Sequence, residues 1–405
     1  MSNTNLFSLK NIVILFGVIC IVALFVTNFF FSDSQPDSEL KTVAPSFEGE
    51  IANCGESFGC YSDLITATIA KEGLAAGFIK TKNLYQTVPS LRSNCSFLAS
   101  TVAKQVATDY PDYTKLELTP ESAWCNFGFL QAYPRAIMES TGDNGLAGSY
   151  CTYVGQSIGE DVPGAEAECF RGIGNGLISI WLGPGENHEE LAATGIAECK
   201  RLTLNEKNYD ACASGVFNEL GFLPPRDVSN PMALCSAQET EELSRMCYGN
   251  YKRAALNAVG SEAYENFPVA LTKLKEFFKD STIDPSRELV YNHGYRWAEA
   301  ELVIEKDVMA GTSECLRLPS EVQQYCVQGM STGIVKNGDP ESQYKLLTEY
   351  CVTARNEIPE ITHEDCPYIA SIEYLHDFYS EEEFAVIMDY MKSTLTEIRA
   401  YSSEE

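Results

Sequence analysis

Five stretches of this chain repeat one frame of eight residues, in which the fourth residue is always glycine. The frame begins with cysteine in four copies and with tyrosine in one. The copies are CNFGFLQA from Cys125, CFRGIGNG from Cys169, CASGVFNE from Cys212, YNHGYRWA from Tyr291 and CVQGMSTG from Cys326. The recurring small residues are Gly128, Gly172, Gly215, Gly294 and Gly329 at the fourth position and Ala132, Gly176, Ala298 and Gly333 at the eighth.

This spacing predicts a helix face that carries almost no side-chain bulk. The first, fourth and eighth residues of a helix lie on one side of it, and glycine there lets a second helix approach closely. The run from Gly172 to Gly176 does not match the loop that binds dinucleotide phosphates, because Leu177 stands where that loop needs its last glycine. We therefore assign the recurring glycines to helix packing.

The frame recurs at an interval typical of helical hairpins. Looser copies begin at Cys60, Cys95, Cys247 and Cys366, so that successive copies start 30 to 44 residues apart, about the length of a two-helix repeat. Apolar residues recur at helical spacing from residue 51 onward. The sequence thus predicts an all-α fold, an α-solenoid of disulfide-braced helical hairpin repeats over residues 51–379, behind an N-terminal transmembrane helix.

The cysteines predict disulfide bonds inside these hairpins. Of the 15 cysteines, Cys20 lies in an apolar N-terminal stretch, and the other fourteen are dispersed without a CxxC pair, as in exported proteins with disulfide bonds. Five of them precede a frame cysteine by 11 to 18 residues, a distance that suits the end of one helix and the start of the next. The expected pairs are Cys151–Cys169, Cys199–Cys212, Cys235–Cys247, Cys315–Cys326 and Cys351–Cys366. The spacing leaves Cys54, Cys60, Cys95 and Cys125 unassigned.

An apolar stretch near the N-terminus predicts a membrane anchor. Residues 11–31 contain no charged side chain and reach the length of about 20 residues that spans a bilayer. Lys10 precedes the stretch and Asp33 follows it, which places a tail of residues 1–10 in the cytoplasm. A polar linker at 32–50 and the main domain then lie outside, in a periplasm or at a cell surface. A cleaved signal peptide is the alternative, although the stretch lacks a small-residue cleavage site.

The end of the chain predicts a capping helix over residues 380–405. Ser380 and Glu383 have the spacing of a capping box, and Phe384, Ile387 and Met391 recur along one stripe. Such a helix would cover the last apolar face of the repeat domain.

The chain is strongly acidic, with 57 acidic and 29 basic residues and a net charge of −28. Nucleic-acid binding depends on Lys and Arg beside phosphates, so this balance argues against a nucleic-acid partner. It favours instead a protein or peptide partner that is basic.

Two stretches match the nucleophile-elbow pattern G-x-S-x-G, with Ser157 and Ser331 at the serine position. A hydrolase of this type needs one elbow, placed after a strand and followed by an acid and a histidine. The second match coincides with the frame at Cys326, and alternating strands and helices are missing. We expect both matches to arise from the glycine-rich repeat.

The four histidines, His188, His293, His363 and His376, show no metal-ligand spacing. Three of them have acidic neighbours in the sequence, but adjacent residues on a helix point in different directions. No catalytic residue, metal ligand or cofactor is therefore assigned.

These features predict a membrane-anchored, extracytoplasmic helical-repeat scaffold that binds a protein or peptide partner. Two other functions stay open. One is an extracytoplasmic hydrolase or metal-dependent enzyme that uses His293 or His363. The other is a structural subunit of an envelope or membrane complex, in which the small-residue faces pack between chains.

Overall fold

The chain divides into two compact units, Met1–Asn53 and Cys54–Glu405. The predicted tail at 1–10, the predicted anchor at 11–31 and the predicted linker as far as residue 46 lie outside the described residues. Within the described ranges, no helix combines the length and the apolar character needed to cross a bilayer. The computed structural model describes residues 47–55, 57–92, 94–110, 112–181, 187–223, 230–260, 266–279, 286–339, 341–362 and 364–402.

Every regular element in those ranges is a helix, which confirms the all-α class. The α-helices are α1 (Phe47–Cys54), α2 (Phe58–Glu72), α3 (Leu74–Thr87), α4 (Pro89–Arg92), α5 (Cys95–Asp109), α6 (Gly128–Thr141), α7 (Asn144–Ile158), α8 (Ala165–Trp181), α9 (His188–Leu202), α10 (Glu206–Gly221), α11 (Ala233–Ser236), α12 (Glu241–Val259), α13 (Phe267–Phe277), α14 (Ser286–Trp297), α15 (Val303–Glu305), α16 (Val308–Leu316), α17 (Ser320–Asn337), α18 (Gln343–Glu357), α19 (Ile369–Phe378) and α20 (Glu381–Ser402). A π-helical turn, Ala298–Leu302, joins α14 to α15. Helix α1 begins at Phe47, so it includes the last four residues of the predicted linker.

Short polar side chains set the starts of several helices. The Asp143 carboxylate accepts a hydrogen bond from the Leu146 N–H at 3.0 Å at the start of α7, as N-capping residues do. The hydroxyl of Ser380 donates to the Glu383 carboxylate at 2.8 Å. Helix α20 begins one residue later, inside the predicted capping helix.

Seven disulfide bonds lie within the second unit, and the Cα atoms that each one joins are 5.0 to 5.6 Å apart. Five of the bonds join a helix to the helix or turn that follows it in a hairpin. They are Cys151–Cys169, Cys199–Cys212, Cys235–Cys247, Cys315–Cys326 and Cys351–Cys366. The four cysteines that spacing left unassigned form Cys54–Cys60 and Cys95–Cys125. The prediction of disulfide bonding is thus confirmed.

The frame glycines lie where the backbones of two helices touch. A Cβ atom added at Gly329 of α17 would lie 1.9 Å from the carbonyl oxygen of Tyr291 in α14. One added at Gly294 of α14 would lie 2.2 Å from the carbonyl oxygen of Cys326 in α17. The other fourth-position glycines, Gly128, Gly172 and Gly215, also lie against the backbone of a neighbouring helix. The eighth-position glycines differ: Gly176 faces the side chain of Met138, and Gly333 faces both Ala298 and the backbone of Tyr295.

The copy of the frame at Cys125 differs from the expected helix. Cys125, Asn126 and Phe127 have positive φ angles of 63°, 52° and 58°, so they form a left-handed turn, and α6 starts only at Gly128. Burial of the Phe127 ring and the Cys95–Cys125 bond accompany this turn. Because the turn ends at the fourth residue of the frame, Gly128 still contacts α5, where its added Cβ would lie 2.7 Å from the Ser96 carbonyl oxygen.

The second helices of successive hairpins pack in chain order: α6, α8, α10, α12, α14, α17 and α19. The later helices also contact earlier parts of the same unit. The hydroxyl of Tyr85 in α3 donates to the Gly338 carbonyl at 2.7 Å, and the N–H of Gly164 donates to the Asp377 carbonyl at 2.7 Å. These contacts join residues far apart in the sequence, whereas repeats of an open array contact only their neighbours.

Candidate functional site

An acidic cleft of about 690 Å³ lies where the first turn of α10 meets α19 and the start of α20. Four of its eight lining residues carry carboxylates, two carry basic groups, and two are apolar. The lining residues are Glu206, Lys207, Asp210, Ile372, Glu373, His376, Asp377 and Phe384.

The cleft residues are held by the helix start on one side and by core packing on the other. The Asn205 side chain accepts a hydrogen bond from the Asn208 N–H at 2.9 Å, which caps α10 directly before its acidic first turn. On α19, Tyr374, Leu375 and Phe378 are buried. The polar side of the same helix, which carries three of the cleft residues, therefore remains at the surface.

Only part of the charge in the cleft is paired. Lys207 Nζ lies 2.5 Å from Asp377 Oδ1. His376 Nε2 lies 3.1 Å from Glu381 Oε1. The other three carboxylates form no ion pair in the described part of the chain; they belong to Glu206, Asp210 and Glu373.

The crowding of carboxylates shifts the ionisation of Asp210. Burial raises the pKa of its carboxyl above the ordinary value, and the charges of Glu242 and Glu206 raise this pKa further, against a smaller opposite effect of Arg245. Burial together with the charge of Asp210 also raises the pKa of Tyr209. Carboxylates that repel one another in this way create a negative potential that a cation would relieve.

This chemistry suits the binding of an organic cation. Ammonium and guanidinium groups could approach the unpaired carboxylates while their aliphatic stems cover Ile372 and Phe384. Among the described residues, no group of three or more His, Cys, Asp or Glu side chains is arranged to hold a metal ion.

Two other histidines, His188 and His293, do not line this cleft. His293 Nε2 lies 2.9 Å from Glu314 Oε1, and its ring stacks on Phe267 with centroids 4.2 Å apart. His188 is the first residue of α9. His363 lies outside the described residues.

Both candidate nucleophile serines lie inside helices. Ser157 is exposed near the end of α7, and no strand precedes it in the described ranges. The buried Ser331 hydroxyl in α17 lies 2.9 Å from the Ser371 hydroxyl. Neither position has the strand–turn–helix geometry that a nucleophile elbow needs.

None of the cysteines and glycines assigned from the sequence lines the cleft. The cleft residues come from segments 206–210 and 372–384, and sequence reasoning did not connect these segments. The sequence signals for these segments are the acidic first turn of α10 and the neighbouring residues His376 and Asp377.

No protein-family model, no curated protein and no solved structure matches this chain.

Proposed function

We propose that this protein is a membrane-anchored, extracytoplasmic scaffold whose acidic cleft binds a basic protein or peptide. The observation that carries the proposal is the set of three carboxylates without an ion pair in the described ranges, Glu206, Asp210 and Glu373, beside two apolar side chains. A lysine or arginine side chain of the partner would neutralise them and cover the apolar surface.

The proposed compartment follows from the disulfide bonds and the N-terminal sequence. Seven disulfide bonds in one chain are typical of an oxidising environment outside the cytoplasm. The apolar sequence of residues 11–31 would supply the anchor. The net charge of −28 would draw a basic partner toward the scaffold before contact.

In this proposal the hairpins form an α-solenoid whose later members fold back on earlier ones. The serial packing of the second helices supports the repeat arrangement. The fold-back is supported by the ion pair of Lys207 with Asp377 and by the hydrogen bond of Gly164 with the same residue's backbone. The fold-back also builds the cleft, since one wall comes from α10 and the other from α19 and α20.

The test uses the full-length protein in detergent micelles with its disulfide bonds intact. A fluorescein-labelled oligolysine peptide should bind, an oligoglutamate peptide should not, and salt should weaken the binding. The double variant Asp210→Asn/Glu373→Gln should lower the affinity about tenfold, because charge-assisted contacts are lost. The matched control, Glu72→Gln/Asp109→Asn, removes the same charge from α2 and α5.

Equal loss of affinity in both double variants would show that the peptide responds to net charge and not to the cleft, and the proposed site would then be wrong. The compartment has a separate test. The fourteen cysteines from Cys54 to Cys366 in protein taken from cells should resist maleimide until a reductant is added, and their full labelling without a reductant would contradict an oxidising compartment.

A further inference from the structure

Residues 119–127, directly before α6, have a backbone conformation that their sequence does not favour. Cys125, Asn126 and Phe127 all have left-handed backbone angles, which are uncommon for residues with a Cβ atom and unfavourable in succession. In the other four copies of the frame, the corresponding residues lie inside helices α8, α10, α14 and α17. We call residues 119–127 the strained segment.

Two hydroxyl groups at the start of the strained segment lack partners. Thr119 Oγ1 and Ser122 Oγ are buried and form no hydrogen bond within the described part of the chain. Thr119 stands at the N-cap position of a short 3₁₀ helix, Pro120–Ala123, but its side chain does not cap this helix. A threonine before a proline is a common start of an α-helix, and in a regular helix its hydroxyl would accept a hydrogen bond from the Ser122 N–H. The local sequence therefore favours a helix that begins at Pro120 and continues into α6.

Two tertiary contacts hold the strained segment in place. The Cys95–Cys125 bond keeps the Cα atom of Cys125 5.0 Å from that of Cys95, at the start of α5. The fully buried ring of Phe127 lies edge-to-face against the rings of Tyr374 and Phe378 in α19, with centroids 5.9 and 5.7 Å apart. A helical backbone at Phe127 would point its side chain in another direction. The contact with α19 therefore depends on the left-handed turn.

The Cys95–Cys125 bond is less enclosed than the bonds inside the hairpins. The ten cysteines of the hairpin bonds are fully buried, whereas Cys125 is 5% exposed and Cys95 is 2% exposed. Cys95 is also the first residue of α5, and a helix N-terminus stabilises a cysteine thiolate. Cys95 is therefore the better leaving group when another thiolate attacks Cys125 Sγ.

We propose that the Cys95–Cys125 bond is a redox switch, which a dithiol reductant opens to convert the strained segment into a helical extension of α6. A thiolate of the reductant attacks Cys125 Sγ, the Sγ–Sγ bond breaks, and Cys95 leaves as a thiolate that takes up a proton. The second thiol of the reductant then loses its proton and attacks the mixed disulfide, and the Cys125 thiolate that it releases is protonated. Two electrons pass from the dithiol to the bond, so that the reductant becomes a disulfide and the two cysteines become thiols.

The open state changes the support of the acidic cleft. Once Phe127 is part of a helix, its ring leaves Tyr374 and Phe378, the inner side of α19. The outer side of α19 carries Glu373 and His376 of the cleft. Reduction should therefore weaken binding of a basic peptide, a step that rests on the proposed function.

The test equilibrates the full-length protein in detergent micelles with mixtures of reduced and oxidised dithiothreitol. Free thiols are trapped with iodoacetamide, and mass spectrometry of the cysteine-containing peptides gives a reduction midpoint for each bond. Cys95–Cys125 should be reduced at a lower proportion of reduced dithiothreitol than all five hairpin bonds. Asn126→Gly should need about tenfold more reductant than Asn126→Ala, because glycine is favourable in the left-handed turn and alanine in a helix. The same two substitutions at Asn250, which is already helical in α12, should leave this midpoint unchanged.

A second measurement follows the conformation of the wild type. Reduction of Cys95–Cys125 should change the tryptophan emission, because buried Trp124 lies against the Tyr85 ring with centroids 5.9 Å apart. This change should be absent in Trp124→Phe. The amides of residues 124–127 should exchange hydrogen more slowly after reduction, because they gain helical hydrogen bonds. Faster exchange there, reduction of Cys95–Cys125 together with or after the hairpin bonds, or equal midpoints in the two Asn126 variants would overturn the proposal.

The effect on the cleft is measured separately with the oligolysine peptide. The double variant Cys95→Ala/Cys125→Ala should bind it about threefold or more weakly than Cys315→Ala/Cys326→Ala, which loses a bond inside a hairpin. Equal affinities would refute the link between the switch and the cleft. A wild type that does not bind the peptide would refute the proposed function, whereas the reduction midpoints and hydrogen exchange would still decide whether the switch exists.

Discussion

The contact between α14 and α17 makes Gly329→Ala a strong test of the packing argument. The Cβ atom of alanine would lie 1.9 Å from the Tyr291 carbonyl oxygen and 2.9 Å from the Tyr295 backbone nitrogen. These are backbone atoms, so no side-chain rotation can make room. The two helices would have to separate by about 1 Å, and overpacking of this kind costs about 1–3 kcal/mol or more.

An alanine in a helix would otherwise be favourable by about 1 kcal/mol relative to glycine. The control variant Gly249→Ala isolates that effect, because Gly249 lies within α12 and its added Cβ would have only Glu288 Oε2 nearby, at 3.9 Å. We therefore expect Gly329→Ala to lower the free energy of unfolding by about 2 kcal/mol. Gly249→Ala should leave it unchanged or raise it slightly.

The assay is urea unfolding followed by far-ultraviolet circular dichroism, with the disulfide bonds intact. The midpoint for Gly329→Ala should fall at an unchanged slope, which identifies a change of stability. A midpoint at or above that of the wild type would refute the view that this glycine is required for close approach. A fall of equal size in Gly249→Ala would show that general helix effects, and not the contact, explain the loss.

Two further predictions concern the buried tyrosines and a local disulfide bond. Burial raises the pKa of Tyr251 and of Tyr295 to about 12, so the folded protein holds these protons more tightly than the unfolded chain does. The free energy of unfolding should therefore fall as the pH rises above about 10. We expect tyrosinate absorbance to appear cooperatively, together with a loss of helical circular dichroism. A gradual rise in absorbance at constant helicity would contradict this coupling. Replacing both Cys199 and Cys212 by alanine removes a disulfide bond whose sequence separation is 13 residues. This should lower the free energy of unfolding by about 3 kcal/mol, measured by urea unfolding. An unchanged midpoint would mean that the bond adds no stability.

The helical class and the disulfide-rich character could be predicted because their signals are local. A cysteine, a glycine three residues later and another cysteine a short distance upstream all belong to one hairpin. The bond Cys95–Cys125 could not be found in this way. Its sequence separation is 30 residues, and it ends in the left-handed turn at Cys125, where no helical spacing applies.

The acidic cleft is a product of folding across a long stretch of chain. Its two walls begin at Glu206 and Ile372, and the ion pair that joins them, Lys207–Asp377, spans 170 residues of sequence. An acidic first turn is common at the start of any helix, because carboxylates interact favourably with the helix dipole. The helix dipole alone therefore explains the acidic first turn of α10. Nothing in the sequence indicates that α19 forms the other wall of the cleft.

The disulfide bonds and the glycine contacts join different parts of this fold: the local bonds act within a hairpin, and the glycine contacts act between neighbouring hairpins. A bond such as Cys315–Cys326 joins α16 to α17 inside one hairpin, whereas Gly329 and Gly294 join α17 to α14, the second helix of the preceding hairpin. The unit that contains Tyr291 has no disulfide bond of its own in the described ranges, yet it keeps both glycine contacts. It follows that the glycines, and not the bonds, set the spacing between hairpins. Under reducing conditions, then, Gly329→Ala should still destabilise the protein relative to the reduced wild type, and loss of the difference on reduction would contradict this division of roles.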